Sequence, residues 1–465
     1  MDDTSHRIHN PAAPDEIVAE VTLTAPAGLP GLVANARRAQ KEWAGVPGAQ
    51  RAARLNAFLD DVEAACEEIA TSITLEQGKP LAEARGEVMK SVSEGRAMAG
   101  HAMLAGTMAV ASARPFVRNM IVRRPRGVIT AITPWNFPIL TPMRKIAPAI
   151  AYGNSIVLKP SEFTPTAAVI LDRLARAHFP ENLLTVVFGG AELGQALSTA
   201  DIDGITFTGS VGVGRHILAA AAASNLAEVS LELGGKNAVV VNDFEDAGPA
   251  LEAIVGAAMQ CAGQRCTAIS RVIVNDEIAE DFVAALSARC AAMIVGDGRS
   301  PTTQIGAITT AAQFSKIAGL VELGIKEGAV CTAGGGRAAV ADRPHGRFYA
   351  PTVLDRVTPD MRIAGEEVFG PVLSVLRYRN FDEAIEIANA PRFGLTSALF
   401  SNRNDLINRF VDEVRSGMIH INQGTVPDSH MPFGGIGDSG FGSYSVGPSA
   451  VSFYTTEHSV YNQYG

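Results

Sequence analysis

The residues with most chemical promise sit in short runs that hold few other charges. MQCAGQRCT at 259–267 carries two cysteines, Cys261 and Cys266, and LELGGK at 231–236 places Glu232 in an otherwise uncharged Leu-Glu-Leu-Gly-Gly stretch. A thiolate is a strong nucleophile and a carboxylate can accept a proton. A lone cysteine is more often a small buried hydrophobe and a lone glutamate a solvated surface charge, and composition alone does not choose between the two thiols. Asn136 in TPWNFP at 133–138 would ordinarily be a turn residue. The glycine-rich FTGSVGVG at 207–214 follows a predicted strand and opens a helical pattern. In that context, helix N-terminal N–H groups face a pyrophosphate, although the string is not the usual G-x-G-x-x-G.

Elements must be found to position these runs. Leu55, Phe58, Leu59, Val62, Ala65, Ile69 and Ile73 recur at helical spacing between acidic residues and predict one amphipathic helix over 51–73. Short β-branched runs follow at 127–133, 155–158, 183–188 and 204–208, each leading into an Ala/Leu-rich segment such as 166–178, 191–200 or 213–223. Strands alternating with helices imply βαβ units and a parallel sheet covered on both faces. A second α/β series starts near NAVVV at 237–241 and RVIV at 271–274 and runs to about Ile421. A chain of 465 residues is expected to form two or three domains.

The bulk composition excludes several classes. The net charge of −9 argues against nucleic acid or an anionic membrane as the main partner. Five scattered cysteines without a Cys-x-x-Cys pair fit neither a disulfide framework nor a metal site, so no metal is expected. The polar start MDDTSHRIHNPAAP and the lack of a long uncharged apolar stretch point to a cytoplasmic protein.

PWNFP at 134–138, LKPSE at 158–162, FTGSVGVG, LELGGK, GQRCT at 263–267, EEVFGP at 366–371 and MPFGG at 431–435 stand in the order and at the spacings of the aldehyde dehydrogenase superfamily. The chain resembles that family collinearly from about residue 10 to about residue 455. In texture it is nearest the semialdehyde dehydrogenases. The resemblance implies that Cys266 is the nucleophile, and a thiohemiacetal has a hydride to give. It assigns the oxyanion donors to Asn136 and the Cys266 N–H, and the general base to Glu232. Members that pass the acyl group to coenzyme A commonly lack this glutamate, so hydrolysis to the free acid is favoured over that alternative. A catalytically silent protein of the same fold is the rival from another class. On the cofactor side the resemblance implies Gly209, Ser210 and Gly214 near the phosphates, Lys159 and Glu162 at the adenine ribose, and Glu367, Phe369 and Trp135 at the nicotinamide ribose and ring. Glu162 would accept from a 2′-hydroxyl and repel a 2′-phosphate, so NAD is preferred and NADP kept open.

Two departures bear on the substrate. Arg144 stands where relatives acting on acidic semialdehydes hold a distal carboxylate, yet the second arginine of succinate-semialdehyde dehydrogenases is Gln260 here. Arg144 therefore reads equally as half a clamp or as a salt-bridged structural residue. SGFGSYSVG at 439–447 lacks the glutamate that supports a proton relay in many relatives, leaving a simpler relay or a segment that shapes the entrance and a subunit contact. The resemblance implies an α/β fold with a Rossmann-like cofactor domain (1–106 with 126–234), an α/β catalytic domain (235–433) and a small β oligomerisation element (107–125 with 447–465). A further hairpin that many relatives carry before the segment starting at Asn10 is expected to be missing, and a homodimer or homotetramer is expected.

Overall fold

The computed structural model describes residues 5–104, 106–243 and 248–464. Strands Val128–Ile132, Ser155–Lys159 and Leu184–Val186 lie side by side in chain order, while Gly204–Thr208 and Glu228–Glu232 extend the sheet on the other side of Val128–Ile132. These pairings are all parallel. Val128–Ile132 and Ser155–Lys159 are buried at every position, as strands covered on both faces must be. The strand order reverses between Val128–Ile132 and Gly204–Thr208, so the chain leaves these neighbours in opposite directions and opens a crevice beyond their carboxyl ends. The loops that emerge there are TPWNFP and the Gly209–Ser210 turn.

A second sheet takes the order Val330–Ala333, Thr352–Asp355, Val372–Tyr378, Ile269–Asn275, Asn237–Val241, Thr396–Phe400, Met418–Ile421, parallel except for its first pair. Residues 233–236 carry the chain from the carboxyl end of Glu228–Glu232 to the amino end of Asn237–Val241. GQRCT precedes Ile269–Asn275 and EEVFGP precedes Val372–Tyr378, so both also lie at amino ends. The second sheet thus turns its amino-end loops toward the carboxyl-end crevice of the first.

The helix expected over 51–73 is two helices, Gly48–Ala64 and Cys66–Gln77, broken at Ala65. Glu67 and Glu68 fall in the first turn of the second helix, where carboxylates favour a fresh N-terminus. The apolar stripe is otherwise as expected, with Leu55, Phe58, Leu59, Val62, Ile69 and Ile73 all buried. Residues from Asn10 onward do not open the fold alone: Ala13–Thr22 pairs antiparallel with Ser5–Asn10. Met108–Val110, Val117–Pro125 and Thr455–Gln463 form a separate antiparallel sheet. Among the described residues no helix is long and apolar enough to cross a membrane.

Candidate active site

The facing loops enclose a cavity of about 630 Å³. Asn136 lines it and is buried, with Nδ2 donating to the Gln264 carbonyl at 2.8 Å. That bond uses one of the two amide hydrogens and orients the other. The loop is held by a buried ion pair that sequence reading missed: Lys79 Nζ lies 2.6 Å from Glu87 and donates to the Asn136 carbonyl at 2.8 Å. Glu87 Oε1 in turn accepts the N–H groups of Ile139 and Leu140 at 3.0 and 3.1 Å, at the start of helix Leu140–Ala151. These extra bonds offset the cost of burying two charges, and the carboxylate sits at the favourable end of the helix dipole.

Cys266 is half-buried and lines the same cavity. The approach to it is strained, since Cys261, Ala262 and Gly263 take φ values of 57°, 52° and 68°. Neighbours hold this path in place: the Cys261 N–H donates to Glu83 at 2.7 Å, while Gln264 donates to the Cys261 carbonyl at 3.1 Å and accepts from the Thr309 N–H at 3.0 Å. A side chain on Gly263 would stand 2.1 Å from the Gly370 carbonyl, so only glycine fits. Cys261 itself is buried, with its sulfur 3.8 Å from the Asn136 carbonyl. The Cys266 carbonyl accepts from Asn237 Nδ2 at 2.7 Å, whereas its N–H makes no hydrogen bond among the described residues. Burial pushes the Cys266 thiol up to about 11, against the pull of the Arg144 cation.

Glu232 ends its strand at the cavity wall and is 4% exposed. Burial raises its carboxyl to about 7, opposed by the Lys145 and Arg144 charges and by hydrogen bonds from Ser445. Its Oε2 has no hydrogen-bond partner among the described residues, and neither has Lys145 Nζ, whose pKa burial lowers. The segment that departs from the relatives buttresses this carboxylate: Gly440–Phe441 pairs antiparallel with Glu232 and Leu231, and Ser445 lies against the carboxyl.

Every residue of helix Leu140–Ala151 is buried, so its consecutive cations Arg144 and Lys145 must both find interior environments. Arg144 forms a bidentate pair with Glu94 at 2.6 and 2.9 Å and stacks 3.9 Å above the Phe433 ring. Arg144 is thus a salt-bridged residue whose guanidinium also lines the cavity. Arg144→Leu is expected to cost about 3–5 kcal/mol of stability, because it leaves the buried Glu94 without its bidentate partner and with only the longer ion pair to Lys90. Denaturant unfolding tests this: Arg144→Leu combined with Glu94→Leu should regain most of the loss, and no loss in the single variant would refute it. Gln260 also lines the cavity but is exposed, and its Oε1 accepts from Arg265 Nη1.

The model of the Aldehyde dehydrogenase family matches residues 1–460. The chain belongs to the aldehyde dehydrogenase family. Alpha-ketoglutaric semialdehyde dehydrogenase of Bacillus subtilis is 35% identical over 98% of this chain and 94% of its own length. The structure of betaine aldehyde dehydrogenase of Staphylococcus aureus in complex with NAD+ superposes with a TM-score of 0.96, at 31% identity over 99% of this chain and 92% of that one. A structure of 3,6-anhydro-L-galactose dehydrogenase in complex with NADP gives 0.94, at 33% identity over 99% and 96%.

In this aldehyde dehydrogenase the cavity also gathers Trp135, Gly209, Ser210, Glu367 and Phe369. The Trp135 and Phe369 rings meet edge to face at 5.4 Å, and Phe369 holds a φ of 56°. Glu367 Oε1 accepts the Gly235 N–H at 2.9 Å and leaves no room for a side chain on Gly234. Ser210 caps helix Val211–Ala223. Gly214 is buried, and a side chain there would stand 2.7 Å from Leu233, so this glycine permits close helix–strand packing. Lys159 and Glu162 lie outside the cavity at the carboxyl end of Ser155–Lys159, 3.7 Å apart, with Lys159 Nζ donating to the Gly189 carbonyl at 2.6 Å. Among the described residues no cluster of metal-binding side chains occurs. The residues missed by sequence reading, Lys79, Glu83, Glu87, Lys145 and Arg265, share one signal: they are charges inside segments the fold buries.

Proposed function

We propose that the chain oxidises an aldehyde with a polar or acidic far end to the carboxylic acid, with NAD preferred over NADP. The observation that carries this reading is the convergence of Cys266, Asn136 and Glu232 on one cavity that Arg144 also lines. Cys266 gives its thiol proton up to solvent and attacks the aldehyde carbon as the thiolate, and the free Asn136 amide hydrogen and the Cys266 N–H receive the developing oxyanion. NAD, when bound, supplies the acceptor for the hydride that leaves this adduct, so that a thioester remains on Cys266. Glu232 takes a proton from water, and the resulting attack releases the acid and restores the thiol. Glu232 favours water over coenzyme A as the acceptor. The residues present fit the dinucleotide: an exposed capped helix N-terminus at Ser210, a glycine-lined approach at Gly209 and Gly234, and a half-buried Glu162 carboxylate able to accept from a ribose 2′-hydroxyl.

The acidic end of the substrate is supported by Arg144 and by the similarity to semialdehyde dehydrogenases. We assign residues 1–106 with 126–234 to cofactor binding, 235–433 to catalysis, and the sheet built from 107–125 and 447–465 to self-association as a homodimer or homotetramer in the cytoplasm. NADH formation from paired ω-carboxy and unsubstituted aldehydes of equal length, with NAD and NADP in parallel, tests the reading. Preference for the acidic members with NAD is expected; equal rates on both aldehydes would discard the acidic end.

The pH profile follows from Glu232. Its carboxyl is raised to about 7, so the base is protonated below that value and free above it. Steady-state turnover is therefore expected to climb as pH rises through about 7. A flat profile from acid to neutral would place the limiting step elsewhere.

A further inference from the structure

Gln260 stands where succinate-semialdehyde dehydrogenases carry a second clamp arginine, and its Oε1 is taken by Arg265, so position 260 offers no cation. The cavity nevertheless contains an ammonium group that neither the motifs nor the proposed mechanism uses. Lys90, on helix Leu81–Leu104, lines the cavity with its side chain 26% exposed. Its Nζ donates to the Pro427 carbonyl at 2.6 Å and to Ser429 Oγ at 3.1 Å. An ammonium has three donors, so these bonds leave one N–H without an acceptor at hydrogen-bond distance among the described residues. Toward Glu94 the third N–H has only a long ion pair of 3.8 Å, and both oxygens of that carboxylate are already engaged by Arg144.

The local charges do not balance. Lys90 and Arg144 share the buried carboxylate of Glu94, while the other buried acid that acts on Arg144, Glu232, is matched by Lys145. Asp428 is the other acid acting on Lys90, but it is exposed and screened by solvent. Arg144 Nη1 makes no hydrogen bond among the described residues. Lys90 thus has one spare N–H and Arg144 three, and the two neighbouring cations carry an excess of one positive charge on a cavity that Cys266 and Glu232 also line. One carboxylate on the far end of an aldehyde would accept from both cations and neutralise the excess.

We propose that Lys90 is the second cation of the substrate site, binding the distal carboxylate beside Arg144 in place of the clamp arginine that Gln260 replaces. This deepens the proposed function and rests on its acidic substrate. It also explains how a chain lacking half of the usual clamp keeps selectivity: the charge comes from a helix on the cavity wall instead of the nucleophile loop. Because Lys90 ties down Pro427 and Ser429, it also fixes the cavity rim formed by Val426 and Pro427.

The test compares kcat/KM for a straight-chain ω-carboxy aldehyde with that for the unsubstituted aldehyde of equal length, in the full-length enzyme with saturating NAD. Lys90→Met is expected to lower the acidic-to-neutral ratio about 10- to 100-fold, mainly through KM, as loss of a charge-assisted hydrogen bond requires. Lys90→Arg should keep the ratio within about threefold of wild type. Ser429→Ala loosens the same tether without removing charge and should leave the ratio in place. A ratio unchanged in Lys90→Met, or an equal fall in Ser429→Ala, overturns the role of Lys90 while the acidic substrate stands. A wild-type ratio near one removes the acidic substrate and this role together.

Discussion

Cys266→Ala is expected to abolish NADH formation, with a loss of at least about 10,000-fold in kcat, while NAD binding is retained. The size of the effect follows from covalent catalysis: without the sulfur no adduct forms, and the remaining donors and bound cofactor have nothing to stabilise. The substitution removes one atom from a half-buried position and breaks no hydrogen bond of the loop, whose path is fixed by Gln264, Asn237 and Glu83. Folding should therefore survive, and cofactor titration by fluorescence checks binding independently of turnover. Cys261→Ala is the informative contrast, because its sulfur lies against the Asn136 carbonyl in a buried site. Residual turnover in Cys266→Ala above a thousandth of wild type would move the nucleophile to another residue.

Glu232→Gln is expected to lower steady-state turnover about 100- to 10,000-fold, the range for loss of a positioned general base. The form of the loss is more telling than its size. Thioester formation does not require this carboxylate, so one equivalent of NADH per site should appear rapidly before the reaction stalls with the acyl group on Cys266. Mass spectrometry of the stalled protein would detect that adduct. Removing the negative charge also lowers the pKa of Lys145 further, which lets this lysine, without a hydrogen-bond partner among the described residues, become neutral and limits the structural cost. A proportional loss of burst and steady state would assign Glu232 to an earlier step, and unchanged steady-state turnover would remove it from the mechanism.

The sequence was most informative where a motif and a loop of the fold coincide. PWNFP, LELGGK, GQRCT and EEVFGP stand far apart in the chain, yet all lie where one sheet's carboxyl ends face the other's amino ends, and alternation of strands and helices was enough to expect the layers. What escaped was pairing across long separations. Arg144 was singled out by the resemblance alone, but nothing near it named Glu94, and the Lys79–Glu87 pair acts on backbone groups of a different segment. In a glycine-rich turn, phosphate approach and close packing leave the same residue behind, and the packing of Gly214 on Leu233 could not be read from its neighbours in the chain. The break at Ala65 interrupts a stripe whose spacing is helical on both sides, so periodicity carried no mark of it.

The late segment that buttresses Glu232 has a consequence for how the protein is made. Gly440–Phe441 supplies the strand beside Glu232, Phe433 supplies the ring beneath Arg144, and Ser445 touches the base, whereas Cys266 and its loop are translated much earlier. At roughly 5–20 residues per second of synthesis, the nascent chain carries its thiol for many seconds before these walls can close around it. During that interval Arg144 and Glu232, both translated before Cys266, lack the ring and the strand that later pack against them.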